Sequence, residues 1–193
     1  MVASIQAERP YIADDLASLP DDGKRYEIIG GELFVSPAPA EPHQRASYRL
    51  LKLIGAHVDT NDLGLIYHAP FGVFLSDHDV LQPDILVVLK ENRSRIQGIG
   101  IVGPPDLIVE IVSPSSTSID RIRKRATYAT FGVQEYWIVD PDDQTIHAQA
   151  LVGQHYEPIL FGDGLVRSTA IAGLVIDPAE VFAVPDWMPS ADT

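Results

Sequence analysis

One strand, one helix and a second strand are encoded by PDLIVEIVSPSSTSIDRIRKRATYATFGVQEYWIVDP, residues 105–141. Residues 107–112 form an apolar run rich in β-branched side chains, which predicts a buried strand. Residues 118–131 predict a helix that ends at a glycine, and residues 135–139 predict a second buried strand. A strand, helix, strand series predicts a parallel crossover connection, which is right-handed in nearly all known folds.

The elements around this unit complete an α/β fold with a mixed α+β sheet. We expect one domain over residues 11–184 and a flexible tail over residues 185–193. The other predicted elements, in chain order, are a short helix at 11–20, a hairpin of 26–29 and 32–35 around Gly30-Gly31, an amphipathic helix at 43–58, strands at 65–75 and 85–89, and short strands up to residue 182.

Composition restricts the chemistry that the chain can carry. Of its residues, 46% are hydrophobic and none is cysteine, so the chain is typical of a globular protein without disulfides, thiol nucleophiles or cysteine-ligated metals. Its 14 basic and 27 acidic residues give a net charge of −13, which argues against nonspecific coating of nucleic acid. No signal peptide or membrane span is evident, and we expect a cytoplasmic protein.

Several familiar enzyme motifs are missing from the sequence. It contains no His-Glu-x-x-His, no Gly-x-Ser-x-Gly and no phosphate loop ending in Gly-Lys-Ser. Residues 98–103, GIGIVG, formally match a dinucleotide-binding fingerprint. Pro104-Pro105 and a strand follow where a phosphate-binding helix should begin, so we predict a mobile connecting loop instead.

Two acidic residues are the strongest candidates for chemistry. Glu110 lies within an apolar strand, where an unpaired carboxylate costs several kcal/mol. It therefore needs a cation, a metal, a proton or several hydrogen-bond donors beside it. Asp84 precedes the apolar run 85–89, and neighbouring strands would bring the two acids together as ligands for Mg²⁺ or Mn²⁺. The alternatives are an arginine-paired or turn-capping Glu110 and an ordinary turn residue at Asp84.

A series of spaced motifs resembles the "Uma two" family of putative restriction endonucleases, which belongs to the PD-(D/E)XK nuclease superfamily. The resemblance spans about residues 11–182. The motifs, in order, are Glu27-Ile-Ile-Gly-Gly-Glu32-Leu, His43 at a helix start, Gln82-Pro-Asp84, Pro105-Asp-Leu-Ile-Val-Glu110-Ile-Val-Ser-Pro-Ser115, Asp120-x-x-x-Lys124-x-x-x-Tyr128 and Gly132-Val-Gln-Glu-Tyr-Trp-Ile-Val-Asp-Pro141. The resemblance implies a restriction-endonuclease-like core of helix, three strands, helix and strand, with metal-dependent phosphodiester hydrolysis.

Carried over by position, the resemblance makes Asp84 and Glu110 the metal ligands. The superfamily lysine should lie two residues after the glutamate, but Val112 occupies that position. Lys124 on the following helix is the lysine that matches the family. The helix leaves two orientations open: either the side with Lys124 faces the sheet, or the aliphatic stripe with Ile122 does and the basic residues are solvated. We adopt the first, in which the stripe packs elsewhere, against another subunit for example.

Four further residues are candidates for the site. We prefer Glu32 over Glu27 as an additional acid, because hairpin alternation is expected to place the two on opposite faces or different strands. His43 is a candidate for phosphate contact or proton transfer, or simply an exposed residue at the helix start. Arg121 and Tyr128 are candidate substrate-binding residues, or else a solvated cation and a core aromatic.

The leading hypothesis is a Mg²⁺- or Mn²⁺-dependent endonuclease acting on nucleic acid, with DNA as the expected substrate. A homodimer is expected, since two-fold assemblies are the commonest and suit cleavage of a duplex. The main alternative is a nuclease fold that has lost catalysis and serves as a binding or assembly module, consistent with Val112 and the net charge. A glycosidase would require a cleft of exposed aromatic residues, for which the sequence offers little support.

Overall fold

The structure is a computed structural model that describes residues 3–5, 9–112 and 118–188. Two mixed sheets and three α-helices make up most of it. The α-helices are α1 (Glu41–Thr60), α2 (Ser118–Thr130) and α3 (Pro178–Phe182). The strands are β1 (Ala3–Ile5), β2 (Arg25–Ile29), β3 (Glu32–Ser36), β4 (Gly64–His68), β5 (Val73–Ser76), β6 (Asp79–Leu81), β7 (Ile85–Leu89), β8 (Ile96–Gln97), β9 (Gly100–Val102), β10 (Leu107–Ile111), β11 (Glu135–Asp140), β12 (Thr145–Val152), β13 (His155–Pro158), β14 (Val166–Arg167) and β15 (Val175–Ile176).

The central six-stranded sheet has the order β13-β12-β11-β10-β7-β4. Within it, β10 and β11 are parallel and are connected through α2, as the strand, helix, strand series predicts. The neighbouring pairs β10–β7 and β7–β4 are antiparallel. The fold class and the core expected from the sequence are therefore confirmed.

Layers on both faces of the central sheet explain why β7 and β10 are apolar throughout. On one face, α1 packs through Leu50, Ile54 and Val58 against odd-numbered residues of the two strands. On the other face, α2 and a seven-stranded sheet of order β1-β3-β2-β6-β5-β9-β8 cover the even-numbered residues. Because side chains alternate along a strand, Glu110 shares the second face with Ile108.

Three predicted elements differ from the structure. The predicted strand 65–75 is two strands in different sheets, β4 and β5, because the intervening Pro70 cannot donate a ladder hydrogen bond. The predicted helix 11–20 is a shorter 3₁₀ helix, Ala13–Ser18. The expected loop at 98–103 is wrong: β8 and β9 form an antiparallel hairpin there, and a Cβ at Gly100 would collide with the carbonyl of Gly72.

Of the tail predicted at 185–193, residues 189–193 lie outside the described residues. In the part of the chain that the structure describes, none of the helices is both long and apolar enough to cross a bilayer.

Candidate active site

Glu110 is held beneath α2 by a tyrosine and a lysine. Strand β10 directs its side chain toward α2, and the residue is 9% exposed. The Tyr128 hydroxyl donates to Glu110 Oε1 at 2.7 Å, and Lys124 Nζ lies 3.3 Å from the same oxygen. The sequence expectation that this carboxylate needs partners is met by one hydroxyl and one ammonium group.

Lys124 faces the sheet rather than solvent. It is 6% exposed, whereas Ile122 on the aliphatic stripe is 66% exposed. Lys124 Nζ lies 2.8 Å from Glu27 Oε2 and within hydrogen-bond distance of Glu110. The orientation of α2 is therefore the one in which Lys124 meets the carboxylates. Whether the exposed stripe contacts another subunit stays a prediction.

Asp84 precedes β7 and accepts three hydrogen bonds from three parts of the chain. Arg25 Nη2 donates to Oδ1 at 2.8 Å. Oδ2 accepts from the Ile111 backbone N–H at 2.7 Å and from His43 Nε2 at 3.2 Å. Burial alone would raise the pKa of Asp84, but the His43 hydrogen bond and the Arg25 charge, with the Ile111 N–H, hold it well below its ordinary value.

The two strands place Asp84 next to Glu110. Ile85 pairs with Val109 in the antiparallel ladder, so the residue before Ile85 reaches the position beside the residue after Val109. Their charges interact. Burial raises the pKa of Glu110 to about 7; Lys124 opposes this shift, and the negative charges of Asp84 and Glu27 add to it.

Glu27, rather than Glu32, approaches this cluster. Glu27 is 1% exposed and accepts from Lys124 and from the Gln82 backbone N–H. Glu32 is partly exposed and pairs with Arg123 at 2.6 Å. The two acids also share one hairpin face, because Glu32 pairs with Ile29, two residues along from Glu27. The expected placement on opposite faces is therefore not observed: Glu27 contacts Lys124, whereas Glu32 contacts Arg123. Which of the two acids takes part in the site stays a prediction.

The remaining candidates lie at different depths. His43 is buried against Asp84, and its Nδ1 has no hydrogen-bond partner among the described residues, so Nε2 is the ring nitrogen that donates to the carboxylate. Tyr128 is fully buried, and its hydroxyl donates a hydrogen bond to Glu110. Arg121 is exposed on α2 and has no ion-pair partner among the described residues.

Sequence reasoning missed Arg25. This residue begins β2, so alternation places it on the same face of the hairpin as Glu27. The sequence does contain an indication of this pairing. A buried acid such as Asp84 requires a cation nearby, and Arg25, two residues before the candidate Glu27, is a suitable cation. The pairing joins residues 59 positions apart, which local pattern could not assign.

The donor set suits a hard divalent cation. Asp84 Oδ2 already accepts two hydrogen bonds while Oδ1 accepts one, which leaves a lone pair on Oδ1. Carboxylate oxygens are the ligands that Mg²⁺ and Mn²⁺ prefer, and Mg²⁺ commonly keeps several waters. Among the described residues, no three acidic, histidine or cysteine side chains form a ready cation cage. Asp84 and Glu110 could therefore hold such an ion only together with water or backbone oxygens.

Comparisons with known proteins agree with this architecture. A family model described as "Uma2: Putative restriction endonuclease" matches residues 13–179. The chain belongs to this family, and the resemblance inferred from the motifs is confirmed.

A solved structure and a curated relative extend the comparison. The crystal structure of a putative nuclease of DUF820 from Anabaena variabilis has a TM-score of 0.73 and 24% identity, covering 90% of this chain and 98% of its own. That likeness shows the fold. An uncharacterized protein of Synechocystis sp., sll1609, is 24% identical over 119 residues, which are 61% of this chain and 67% of the relative.

We predict that Glu110→Gln stabilises the protein relative to the parent as pH rises. A carboxyl group whose pKa is raised on folding contributes stability that is present below its unfolded pKa, near 4.5, and is lost as pH rises through about 7. The parent should lose about 1.4 kcal/mol per pH unit relative to the variant in this window. Urea unfolding from pH 4.5 to 8 measures the difference. Glu157→Gln, at an exposed strand position, is the control, and parallel profiles for Glu110→Gln and the parent would contradict the prediction.

Proposed function

We propose that this protein is a Mg²⁺- or Mn²⁺-dependent nuclease that hydrolyses phosphodiester bonds in DNA. The observation that carries the proposal is the meeting of Lys124 with Glu110 under α2, next to Asp84. An acid from each of two adjoining strand segments and an amine from the next helix form the set that the family resemblance assigns. Membership of the family described as "Putative restriction endonuclease" supports the same reaction class.

Asp84 and Glu110 would hold the divalent ion in this proposal. Bound there, such an ion lowers the pKa of a coordinated water and neutralises charge on the phosphodiester. Each carboxylate is oriented by its neighbours: Arg25, His43 and the Ile111 N–H fix Asp84, and the Tyr128 hydroxyl fixes Glu110. This support keeps the oxygens in place before substrate arrives.

Lys124 would orient the attacking water and stabilise the negative charge that develops on the phosphorus-bound oxygens. Glu27 acts as a positioning residue, because its carboxylate lies 2.8 Å from the Lys124 ammonium and holds it over the sheet. The lysine lies on a helix rather than at position 112. Val112 instead continues the backbone pairing, donating its N–H to the Val139 carbonyl at 2.8 Å.

The test is cleavage of supercoiled plasmid and of short duplex and single-stranded DNA with Mg²⁺ or Mn²⁺. Asp84→Asn and Glu110→Gln should each lower the rate at least ~100-fold, since each removes a charged metal ligand. A chelator should abolish cleavage by the parent. Asp106→Asn is a matched control: Asp106 is a buried acid that binds the Leu89 N–H and the Asn92 side chain outside the site. Undiminished cleavage by both site variants would contradict the proposal.

A second candidate is a nuclease-fold binding or assembly module without catalysis. Two observations favour it. The Asp84 carboxylate already accepts three hydrogen bonds, with which a bound metal ion would compete for the same oxygens. Val112 also stands in place of the superfamily lysine. Titration calorimetry separates the two functions. The nuclease should bind Mg²⁺ or Mn²⁺ at millimolar concentration in an Asp84-dependent manner, whereas the module should not. We also propose that the nuclease is a homodimer, and analytical ultracentrifugation measures its oligomeric state.

A further inference from the structure

A cavity of about 500 Å³ opens beside Asp84. The 3₁₀ helix, strand β2, helix α1 and the 68–70 connection form its walls, and its volume lies within the range of small-molecule sites. Neither Glu110 nor Lys124 lines it, so the cavity reaches the candidate site from the Asp84 side alone. Polar groups in the wall include Gln44, His68 and Gln82.

The cavity differs in charge from the rest of the molecule. Its lining contains two basic residues, Lys24 and Arg25, and two acidic residues, Asp21 and Asp84. The lining is therefore balanced, in a chain whose net charge is −13. An anion therefore meets less repulsion at this balanced lining than at the acidic surface that the net charge implies for the rest of the chain.

Arg25 is the wall residue best suited to bind an anion. Its side chain is 19% exposed, with Nη2 on Asp84 and Nη1 on the Gln82 carbonyl at 3.2 Å. A guanidinium carries five N–H donors, and those of Arg25 beyond these two bonds have no acceptor among the described residues. Among the buried side-chain polar atoms of the described residues, only His43 Nδ1 lacks a partner, so the remaining Arg25 donors reach solvent. They are therefore available to an anion that enters the cavity, to which they can donate charge-assisted hydrogen bonds.

We propose that this cavity binds one nucleotide of the substrate strand and that Arg25 is the residue that binds its phosphate. The inference rests on the proposed nuclease function, because it places the strand adjacent to Asp84. Phosphate suits the guanidinium fork, which can donate two parallel hydrogen bonds to it. The amides of Gln44 and Gln82 offer hydrogen bonds to sugar or base, and Leu16, Leu19 and Pro70 offer apolar surface.

Calorimetric titration with thymidine 5′-monophosphate in the presence of Mg²⁺ tests the proposal, since this probe has no phosphodiester bond to cleave. The parent should bind it at least ~10-fold more tightly than thymidine or inorganic phosphate. Arg25→Lys keeps a cation beside Asp84 but loses the fork, and should weaken binding at least ~10-fold. Arg45→Lys is the matched control, because Arg45 also pairs with a carboxylate, that of Glu41, yet does not line the cavity.

Several outcomes would overturn the inference: no binding of the probe to the parent, equal binding of thymidine or inorganic phosphate, or unchanged binding by Arg25→Lys. If Arg25→Lys does not fold, the side-chain Nε–H resonance of Arg25 in the parent decides. A shift on adding the probe supports the assignment, and no shift overturns it.

Failure of the nuclease proposal is distinguishable, because Mg²⁺ binding and plasmid cleavage are measured on the same preparations. If the parent protein cleaves DNA but its nucleotide binding does not depend on Arg25, only the assignment of the cavity is contradicted. If the parent binds the nucleotide through Arg25 but does not cleave DNA, only the proposed nuclease reaction is contradicted.

Discussion

Lys124→Met is expected to lower the free energy of unfolding by about 3–5 kcal/mol at pH 8, the usual effect of removing one partner from a buried ion pair. The reason is that Lys124 lies between Glu27 and Glu110, which are 1% and 9% exposed. Without the ammonium, two carboxylates would face each other in a poorly solvated interior. Methionine retains most of the side-chain volume, so the effect reports lost charge rather than a cavity.

The effect of this substitution should depend on pH. Burial already raises the pKa of Glu110 to about 7, and Lys124 opposes this shift more strongly than Arg25 does. Removing Lys124 raises the pKa further, and a carboxyl group with a raised pKa destabilises the fold increasingly as pH rises from its unfolded value through its folded value. Protonation relieves the repulsion at pH 5. Urea unfolding should therefore show a smaller loss at pH 5 than at pH 8.

Arg121→Met provides a matched control on the same helix. Arg121 is an exposed cation with no ion-pair partner among the described residues, and surface substitutions of this kind usually change stability by less than about 0.5 kcal/mol. Equal stability of the two variants at pH 8 would contradict the prediction. So would a loss at Lys124 that is the same at both pH values.

The central strands and the position of Glu110 could be predicted because their signals are local. A continuous apolar run predicts a strand covered on both faces, and a carboxylate inside such a run must have partners. The parallel β10–α2–β11 unit follows from the order of its elements. The register of β7 and β10 also places the candidate acids Asp84 and Glu110 next to each other, as expected. Their role as metal ligands stays a prediction.

The orientation of α2 could not be decided from hydropathy. A helical wheel assumes that the apolar stripe faces the core, yet Ile122 is exposed and Lys124 is buried. The cause lies outside the helix, because the surface beneath it carries Glu27 and Glu110 and attracts the amine. Local sequence contains the lysine but not the acids it meets, of which Glu27 is 97 positions away.

The positions of the hairpin acids could not be predicted for a related reason. Alternation along β2 and β3 gives the faces only when the register is known, and the register here pairs Glu27 with Phe34 and Ile29 with Glu32. Arg123 then contacts both Glu32 and the Phe34 ring, while Lys124 reaches Glu27. The neighbouring residues Arg123 and Lys124 of α2 thus pair with different hairpin acids, and only the acid that pairs with Lys124 lies near Glu110.

Glu135 is a buried acid whose role the sequence did not indicate. It begins β11, is fully buried, and binds no cation among the described residues. Its Oε1 accepts from the Trp137 indole N–H at 2.5 Å, and Oε2 accepts from the 168–170 segment. The donors on that segment are Ser168 Oγ, Thr169 N, Thr169 Oγ1 and Ala170 N. This carboxylate therefore ties the segment after β14 to the central sheet.

Glu135→Ala should lower the free energy of unfolding by about 3–4 kcal/mol, because it leaves the buried Trp137 indole N–H and the part-buried N–H groups of Thr169 and Ala170 without their acceptor, at roughly 1–3 kcal/mol for a buried donor. Glu135→Gln should lose less, since its amide oxygen can still accept. Urea unfolding measures both, and Glu157→Ala on the exposed surface of β13 controls for loss of an acid from a strand. Hydrogen exchange at the amides of Thr169 and Ala170 gives a local readout. If these amides stay protected in Glu135→Ala, the segment is held by apolar packing around Ile171, which is fully buried, rather than by the carboxylate.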